Sequence, residues 1–579
     1  MKKNNNIKIN DELFALIIIL IASIIICIPL LNKKANMTYD DGIQHICRLI
    51  GTYQGLFDGN TRIYNKLCNS FGYSWNLFYS PITAYIPLIF KILGVSFATC
   101  IKMFMFVTIF LSGYFMYLFI KKITKNKYMA IIGAIMYVYT PYRITDMYVR
   151  NALAELTSFT FLPLIFLGLY NLFNTKDKIK IYAPLVLGTV GLILTHTVIT
   201  LYTAIFAFVY FIVNVILKKY SIKNAEEKKN EKIELNKIIK TTIISIIIIL
   251  LITSFFLLPL LQVKNSAKYE VFKPGRMERT EVLISYKLDF FRLFVTLNNN
   301  YMICDLGIIV LIGLFLTPIA IKKVKQEKYY NIYLFSFIAG IVSSIMTLKQ
   351  FPFEHLPRIL KMLQFTFRML EFSGFFFSVV SAINIGVILK KVERKEIIII
   401  LFVMSLLVIP YFSRVNYLEN YDESILINTI PVTEKTGRVH GGCASFEYLP
   451  CKAFENRNYI ETRSQDVIVI NGNCEIRAQN KNEKELYFTA INIEDKTQLE
   501  LPYIYYPGYS VTIEKEGKTE NIATFETEKG FVGIEIPETE EAKINVKYTG
   551  TALMNITEVI SIISFIAFLF YVLYAKSKK

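Results

Sequence analysis

Apolar runs of about 15–22 residues alternate along this chain with short clusters of charge, and each run can cross roughly 30 Å of hydrocarbon as a helix. Clear examples are 13–31, 240–261, 331–348 and 396–412. Lipid offers no partner to backbone N–H and C=O groups, so such runs are helical. In order, the pattern predicts twelve spans: 13–31, 100–120, 128–141, 153–173, two within 182–217 turning near Thr195-His196-Thr197, 241–261, 306–321, 331–348, 372–389, 397–412 and 555–574. The segment 81–93 is apolar but short, and is expected to lie along the outer surface. Between 413 and 550 the period changes. Short β-branched and aromatic runs (466–470, 486–493, 499–506, 509–513, 531–536, 542–548) are punctuated by Glu516-Gly517-Lys518 and Lys529-Gly530, which predicts a β-sandwich.

The expected fold is therefore an α-helical polytopic membrane protein with about 12 transmembrane helices, carrying a C-terminal extracytoplasmic β-sandwich before its last helix. Residues 1–412 form the transmembrane domain, with about 11 helices and outer loops at 32–79, 142–152, 262–304 and 349–371. Residues 413–550 form the β domain, and 551–579 the last span with a basic tail. The run 13–31 has no good small-residue cleavage site and is expected to stay as a signal anchor.

Charge sets the orientation. The formal net charge is +18, which by itself would suit nucleic acid. Residues 413–550, however, hold 23 acidic and 15 basic residues, so the excess of basic charge lies elsewhere. Much of it sits in short loops between apolar runs, at 121–127, 176–180, 218–240, 322–328 and 390–395, and in the tail 576–579. Basic short loops mark the cytoplasmic face, so both termini are expected inside, the β domain outside, and nucleic acid is not the partner. The eight cysteines show no metal-like CxxC spacing. Cys443, Cys451 and Cys474 fall in the outer domain, where a disulfide, such as Cys443–Cys451, is permitted but not required.

Ionisable groups near a membrane are expensive, so their placement is informative. The candidates collect at the outer ends of helices. They are Asp40, Asp41 and His45 after the first span; Asp146, Arg150 and Glu155 between the third and fourth; His196 at a hairpin tip; Arg276 and Arg279 in the third outer loop; and Arg368 with Glu371 before the tenth. The paired carboxylates can accept a proton from an attacking hydroxyl, or hold a divalent cation, Mg or Mn, together with His45. They equally suit a solvated Asp-Asp-Gly turn opening a helix. Arg150 can grip a lipid phosphate, or simply pair with Asp146 and Glu155. His196 can contact substrate or cap a helix. Arg368 and Glu371, three apart, can form an ion pair on one helix face. The chain has no P-loop, GxSxG, HExxH or strand–GxGxxG–helix signature, which argues against an NTP-driven pump and against ordinary serine or zinc hydrolases.

These residues also carry a resemblance. Asp40-Asp41 with His45, Gly72-Tyr73, Leu77-Phe78-Tyr79-Ser80-Pro81, Pro141-Tyr142-Arg143 with Asp146, Tyr148, Arg150 and Ala154-Glu155, Leu194-Thr195-His196, Gln364-Phe365 with Arg368, Glu447-Tyr448-Leu449-Pro450, Leu501-Pro502 and Tyr506-Pro507-Gly508-Tyr509 recur in this order in one family. The chain resembles the bacterial multi-pass membrane proteins described as 6-pyruvoyl-tetrahydropterin synthase-related, close to the YfhO-like proteins. Through them it is similar to the GT-C glycosyltransferase superfamily. It departs from the family at Thr366-Phe367, where Pro-Trp is usual, and nothing in it supports the pterin part of that description. The resemblance implies inverting transfer of a sugar from a polyprenyl-phosphate donor to an envelope glycan acceptor outside the cytoplasm. It casts Asp40 or Asp41 as the catalytic carboxylate or metal holder, and Arg150 or Arg368 as phosphate ligand. His45, Asp146, Glu155 and His196 would complete the substrate site, among membrane lipids. The other classes the sequence allows are a lipid or polysaccharide transporter and a non-catalytic envelope assembly protein that binds glycan.

Overall fold

The computed structural model describes residues 10–35, 40–220, 225–266, 269–276, 280–296, 302–389, 391–415, 443 and 446–578. Arg279 lies outside the described residues. Most of the described chain is helical, and among the described residues eight helices are long and apolar enough to cross a membrane: Asp11–Leu31, Phe97–Thr124, Leu153–Asn174, Thr197–Tyr220, Ile233–Ser266, Thr366–Ile388, Arg394–Arg414 and Ala552–Ser577. The helix breaks between Ile193 and Thr197, where the sequence predicts a turn. The short segment after Pro81 forms one helical turn, Ile82–Tyr85, followed by the 3₁₀ stretch Ile86–Leu93.

The helix starts explain how the bundle is pinned at one end. Asn10 caps the first helix through its side-chain oxygen, which accepts from Glu12 N at 3.1 Å. Asp11 then meets Lys127 and, at 2.9 Å, Arg394, while Glu12 accepts from Tyr117 at 2.7 Å and pairs with Lys121. The start of the first helix and the basic turns near 121–127 and 391–396 therefore share one level. At the centre, Lys127–Val138 packs against Phe97–Thr124 and Met369–Ile388. Gly133 permits this approach, since a Cβ there would stand 2.1 Å from Ile120 Cδ1 and 3.1 Å from Ala382 Cβ.

The C-terminal strands form two antiparallel sheets. Their ranges are β1 (Ile468–Asn471), β2 (Glu475–Lys481), β3 (Glu485–Ile493), β4 (Thr497–Ile504), β5 (Tyr509–Lys515), β6 (Lys518–Ile522), β7 (Thr524–Glu526), β8 (Phe531–Ile536) and β9 (Thr539–Tyr548). One sheet runs β1-β4-β8-β7 and the other β2-β3-β9-β5-β6. Alternate residues such as Phe488, Ile513, Ile544, Leu499 and Ile534 are buried in one cluster, so the sheets share a core, as period 2 demands. The pattern does not show β2 and β6, which are polar and largely exposed, or β7, which is three half-buried residues long.

The same apolar cluster takes in Phe71, Tyr73, Trp75 and Phe78 from the first long loop. Ile504 N donates to Phe71 O at 2.9 Å, and Tyr269 bridges to Pro450. The loop is itself structured, with a helix Gly42–Asp58 that ends at Gly59 in the left-handed region, φ 78. The β domain is thus seated on the helical body. The last helix returns along Ile233–Ser266, where Ser254 Oγ and Ser561 Oγ are 2.9 Å apart.

Candidate functional site

Between Lys127 and Asn174 the chain interrupts its helices repeatedly, giving Lys127–Val138, Pro141–Tyr148, Leu153–Ser158 and Leu162–Asn174. Pro141 and Pro163, without N–H donors, sit in first turns, and Asn151 takes φ 49. The stretch 142–152, expected as an outer loop, is instead buried throughout. Its charges meet partners there in place of water.

Arg150 Nη1 donates to Asp146 Oδ1 at 2.7 Å, to Glu155 Oε2 at 2.8 Å and to the Tyr142 hydroxyl at 3.0 Å. That hydroxyl donates to Glu155 Oε1. Arg368 Nε donates to the same Glu155 Oε2 at 3.0 Å, across 213 positions of sequence. Arg368 Nη1 donates to Leu363 O at 2.9 Å and Gln364 Oε1 at 2.8 Å. One carboxylate oxygen therefore joins two guanidinium groups. The expected Arg368–Glu371 pair does not form. Residues 366–368 are a 3₁₀ turn, which changes the spacing, and Glu371 Oε1 instead accepts from Ser158 Oγ at 2.7 Å. Asp41 N donates to Arg150 O at 3.1 Å, and Asp41 Oδ2 lies 3.9 Å from Arg150 Nη2.

Two cavities meet at this Arg–Glu–Arg chain. The larger, about 720 Å³, is lined by Tyr79, His196, Lys264, Arg276, Arg358, Arg368 and Glu447 among Phe78, Leu260, Leu261, Phe272, Ile359 and Met362. Four permanent cations, one acid and an apolar wall make it suited to an anion with a hydrocarbon tail. The second, about 460 Å³, is lined by Asp40, Asp41, Arg150, Lys287, Arg292 and the rings of Tyr286, Phe365 and Phe367. Phe365 and Phe367 stack at 5.0 Å, and Tyr286 meets both edge-on at 5.2 and 5.4 Å. Arg150 lies 5.1 Å from the Phe367 centroid and Arg368 4.9 Å from that of Phe365.

Burial first, and then the charge of Asp41, push the Asp40 carboxyl up to about 6, with Arg150 pulling the other way. Burial, then Arg48 and His196, hold His45 down to about 3; burial and then Arg368 bring His196 to about 3. Both rings are neutral at ordinary pH. His196 Nδ1 accepts from Ile199 N at 3.2 Å, capping its helix, and its ring lines the larger cavity. His45 is buried edge-on to Tyr79, ring centroids 5.8 Å apart.

Among the described residues no three His, Cys, Asp or Glu side chains group closely enough to hold a metal, so the set Asp40, Asp41 and His45 does not assemble as ligands. The eight cysteines are free, and Cys443 Sγ lies 3.7 Å from Cys68 Sγ, not against Cys451.

Sequence reasoning missed Arg48. It is buried on Gly42–Asp58, with Nε donating to Asn76 Oδ1 at 2.9 Å and Nη2 to the carbonyls of Tyr79 and Ser80 at 2.9 and 2.8 Å. An arginine inside the apolar string Ile46-Cys47-Arg48-Leu49-Ile50 was the available signal. Lys264 and Arg358 in the larger cavity, and Lys287 and Arg292 in the second, reach their places only through tertiary packing.

Fold and site together define a polytopic helical protein with a seated β-sandwich and a buried Arg–Glu–Arg chain between two cavities. No family model matches the chain. It is 27% identical over 270 residues to an uncharacterized protein of Lactococcus lactis subsp. cremoris (strain MG1363), covering 46% of this chain and 42% of that one. The chain thus spans less than half the length of that curated relative. Among solved structures it is similar to the archaeal oligosaccharyltransferase AglB from Archaeoglobus fulgidus, in complex with an inhibitory peptide and a dolichol-phosphate. That match has a TM-score of 0.36 and 12% identity, over 73% of this chain and 58% of the other.

Proposed function

We propose that this protein is a GT-C-type membrane glycosyltransferase that moves a sugar from a polyprenyl-phosphate donor to an extracytoplasmic acceptor in envelope glycan assembly. The observation that carries the reading is the pairing of a cationic, apolar-walled cavity with a carboxylate-bearing, aromatic-walled one, joined through Glu155. In this reading the lipid phosphate lies in the larger cavity against Arg368, with the sugar C1 directed toward the Glu155 junction. An acceptor hydroxyl enters beside Asp40 and Asp41. One carboxylate takes the hydroxyl proton as the oxygen attacks C1, and the C1–O bond to phosphate breaks with inversion. The phosphate leaves with its charge held by Arg368 and the neighbouring cations. Glu155 fixes both guanidinium groups, and Arg150 sits beside Asp41 as positioning residue, not as the phosphate ligand.

Twelve spans follow if Lys127–Val138, Lys178–Ile193, Ile308–Val324 and Tyr330–Ile345, shorter or broken, cross beside the eight long helices. Both termini are then cytoplasmic, with the β domain and both cavities outside.

The test is turnover of polyprenyl-phosphate sugars by purified protein, with Asp40→Ala/Asp41→Ala as control. Release of lipid phosphate with sugar transfer, abolished by the double change, is the expected result. Turnover that survives it ends the carboxylate mechanism, and lipid movement between leaflets without bond cleavage would replace the enzyme by a transporter.

A further inference from the structure

The first long loop and the entry to the β domain meet at a pair of thiols. Cys68 Sγ and Cys443 Sγ are 3.7 Å apart, and both side chains are fully buried. The segment bearing Cys68 is held in an unusual shape. Cys68, Asn69 and Ser70 all take left-handed conformations, at φ 51, 54 and 64. Three successive non-glycine residues in that region are strained, and persist only where the surroundings over-determine them. The surroundings here are the β domain. Lys481 Nζ donates to Ser70 O at 2.7 Å, Gln465 Nε2 to Asn69 O at 2.7 Å, and Asn69 Nδ2 to Ile460 O at 3.2 Å. Beside the thiols, Tyr73 OH donates to Cys443 O at 3.1 Å and accepts from Tyr448 N at 3.2 Å. Tyr448 stacks on Phe78 at 5.0 Å, and both line the larger cavity. The thiol contact thus lies at the root of that cavity's wall.

We infer that Cys68 and Cys443 become a disulfide in the mature protein, locking the first outer loop to the segment that supplies Glu447 and Tyr448 to the larger cavity. This rests on the outward placement of the β domain, since thiols stay reduced in the cytoplasm. The oxidant is an external disulfide of the thiol–disulfide oxidoreductase class. One cysteine thiolate attacks it, forming a mixed disulfide and expelling one thiol. The second cysteine thiolate attacks the mixed disulfide, the Cys68–Cys443 bond forms, and the second external thiol leaves. Two cysteine sulfurs are oxidised, one external disulfide is reduced to two thiols, and the cysteine protons leave through solvent. Because burial keeps the packed Cys443 thiol protonated, with Cys68 reinforcing this, exchange takes place before the loop closes during folding.

Full-length protein is denatured in N-ethylmaleimide, digested and read by mass spectrometry with and without prior reduction. The expected result is a Cys68–Cys443 linked peptide that disappears on reduction, with the other six cysteines alkylated throughout. Eight alkylated cysteines without reduction, or linkage of Cys443 to Cys47 or Cys451, overturns the inference. Lys518→Cys, on an exposed strand, tells the two failures apart in intact cells treated with a membrane-impermeant maleimide. Labelling at 518 with Cys68 and Cys443 unbridged rejects the disulfide alone. No labelling until the cells are broken rejects the sidedness and the disulfide together. Melting temperatures give a second reading. Cys68→Ser and Cys68→Ser/Cys443→Ser fall equally if the bond acts as one unit, and unequally if two separate thiols are merely packed.

Discussion

Glu155→Gln isolates the group on which the two-cavity site depends. The side chain is 1% exposed and accepts from Tyr142, Arg150 and Arg368. Glutamine keeps the shape, removes the charge and turns an NH₂ toward one of the guanidinium groups. Arg150 retains Asp146 at 2.7 Å, whereas Arg368 loses its carboxylate and keeps only the carbonyls of Leu363 and Gln364. Removing one partner of a buried ion pair costs about 3–5 kcal/mol. At roughly 2 °C per kcal/mol for a large chain, the melting temperature in detergent falls by about 6–10 °C. Loss of a fixed Arg368 lowers kcat/KM for sugar transfer by about 100-fold. Adding Arg368→Met to Glu155→Gln removes the orphaned charge, so the double variant melts above the single one while remaining inactive. Circular dichroism melts and donor turnover read both effects. If Glu155→Gln melts with the wild type, or the second substitution lowers stability further by its full single-variant amount, Glu155 is not the shared counter-ion.

The remaining expectations concern separate groups. Asp40, with its carboxyl raised to about 6, must be ionised to act as base, so kcat/KM rises with pH through about 6 and levels above it. The fold favours its protonated form, so its stabilising contribution is full below the usual 3.8 and lost as pH climbs through 6. Asp40→Asn removes the kinetic limb, and a limb unchanged in that variant assigns the base elsewhere. Arg48→Lys gives up the planar fork that holds Asn76 and the carbonyls of Tyr79 and Ser80, and raises KM for the lipid donor about tenfold with kcat nearly unchanged. An unchanged KM means that Arg48 does not position Tyr79 and Ser80, which line the larger cavity. Gly530→Ala forces a side chain at φ 80 to within 2.3 Å of Ala453 N, and lowers the stability of the β domain by about 1–3 kcal/mol in a urea melt.

Period and length made the membrane-length helices, the helix break near His196 and the hydrophobic strands legible, because each states a burial pattern over many residues. The polar strands β2 and β6 were not legible, since their partners supply the order. Nor was Arg48, whose partners Asn76, Thr83, Tyr79 and Ser80 lie 28–35 positions away. The Cys68–Cys443 contact was not legible for the same reason, since the two sulfurs stand 375 positions apart in sequence.

The stretch 142–152 shows why hydropathy alone does not find the site. Its charges and its position between apolar runs suit a wet loop, yet every residue in it is buried. Charges persist in a protein interior where each is paired and hydrogen-bonded. Here the breaks at 139–140, 149–152 and 159–161 redirect short helices so that Tyr142, Asp146, Arg150 and Glu155 converge. A continuous helix would set Glu155, nine positions after Asp146, roughly 180° round from it, so Arg150 could not close on both acids and leave Glu155 free to meet Arg368. The interruptions are therefore what lets one carboxylate serve arginines in two cavities, and a sequence window that scores only hydropathy reads that device as a loop.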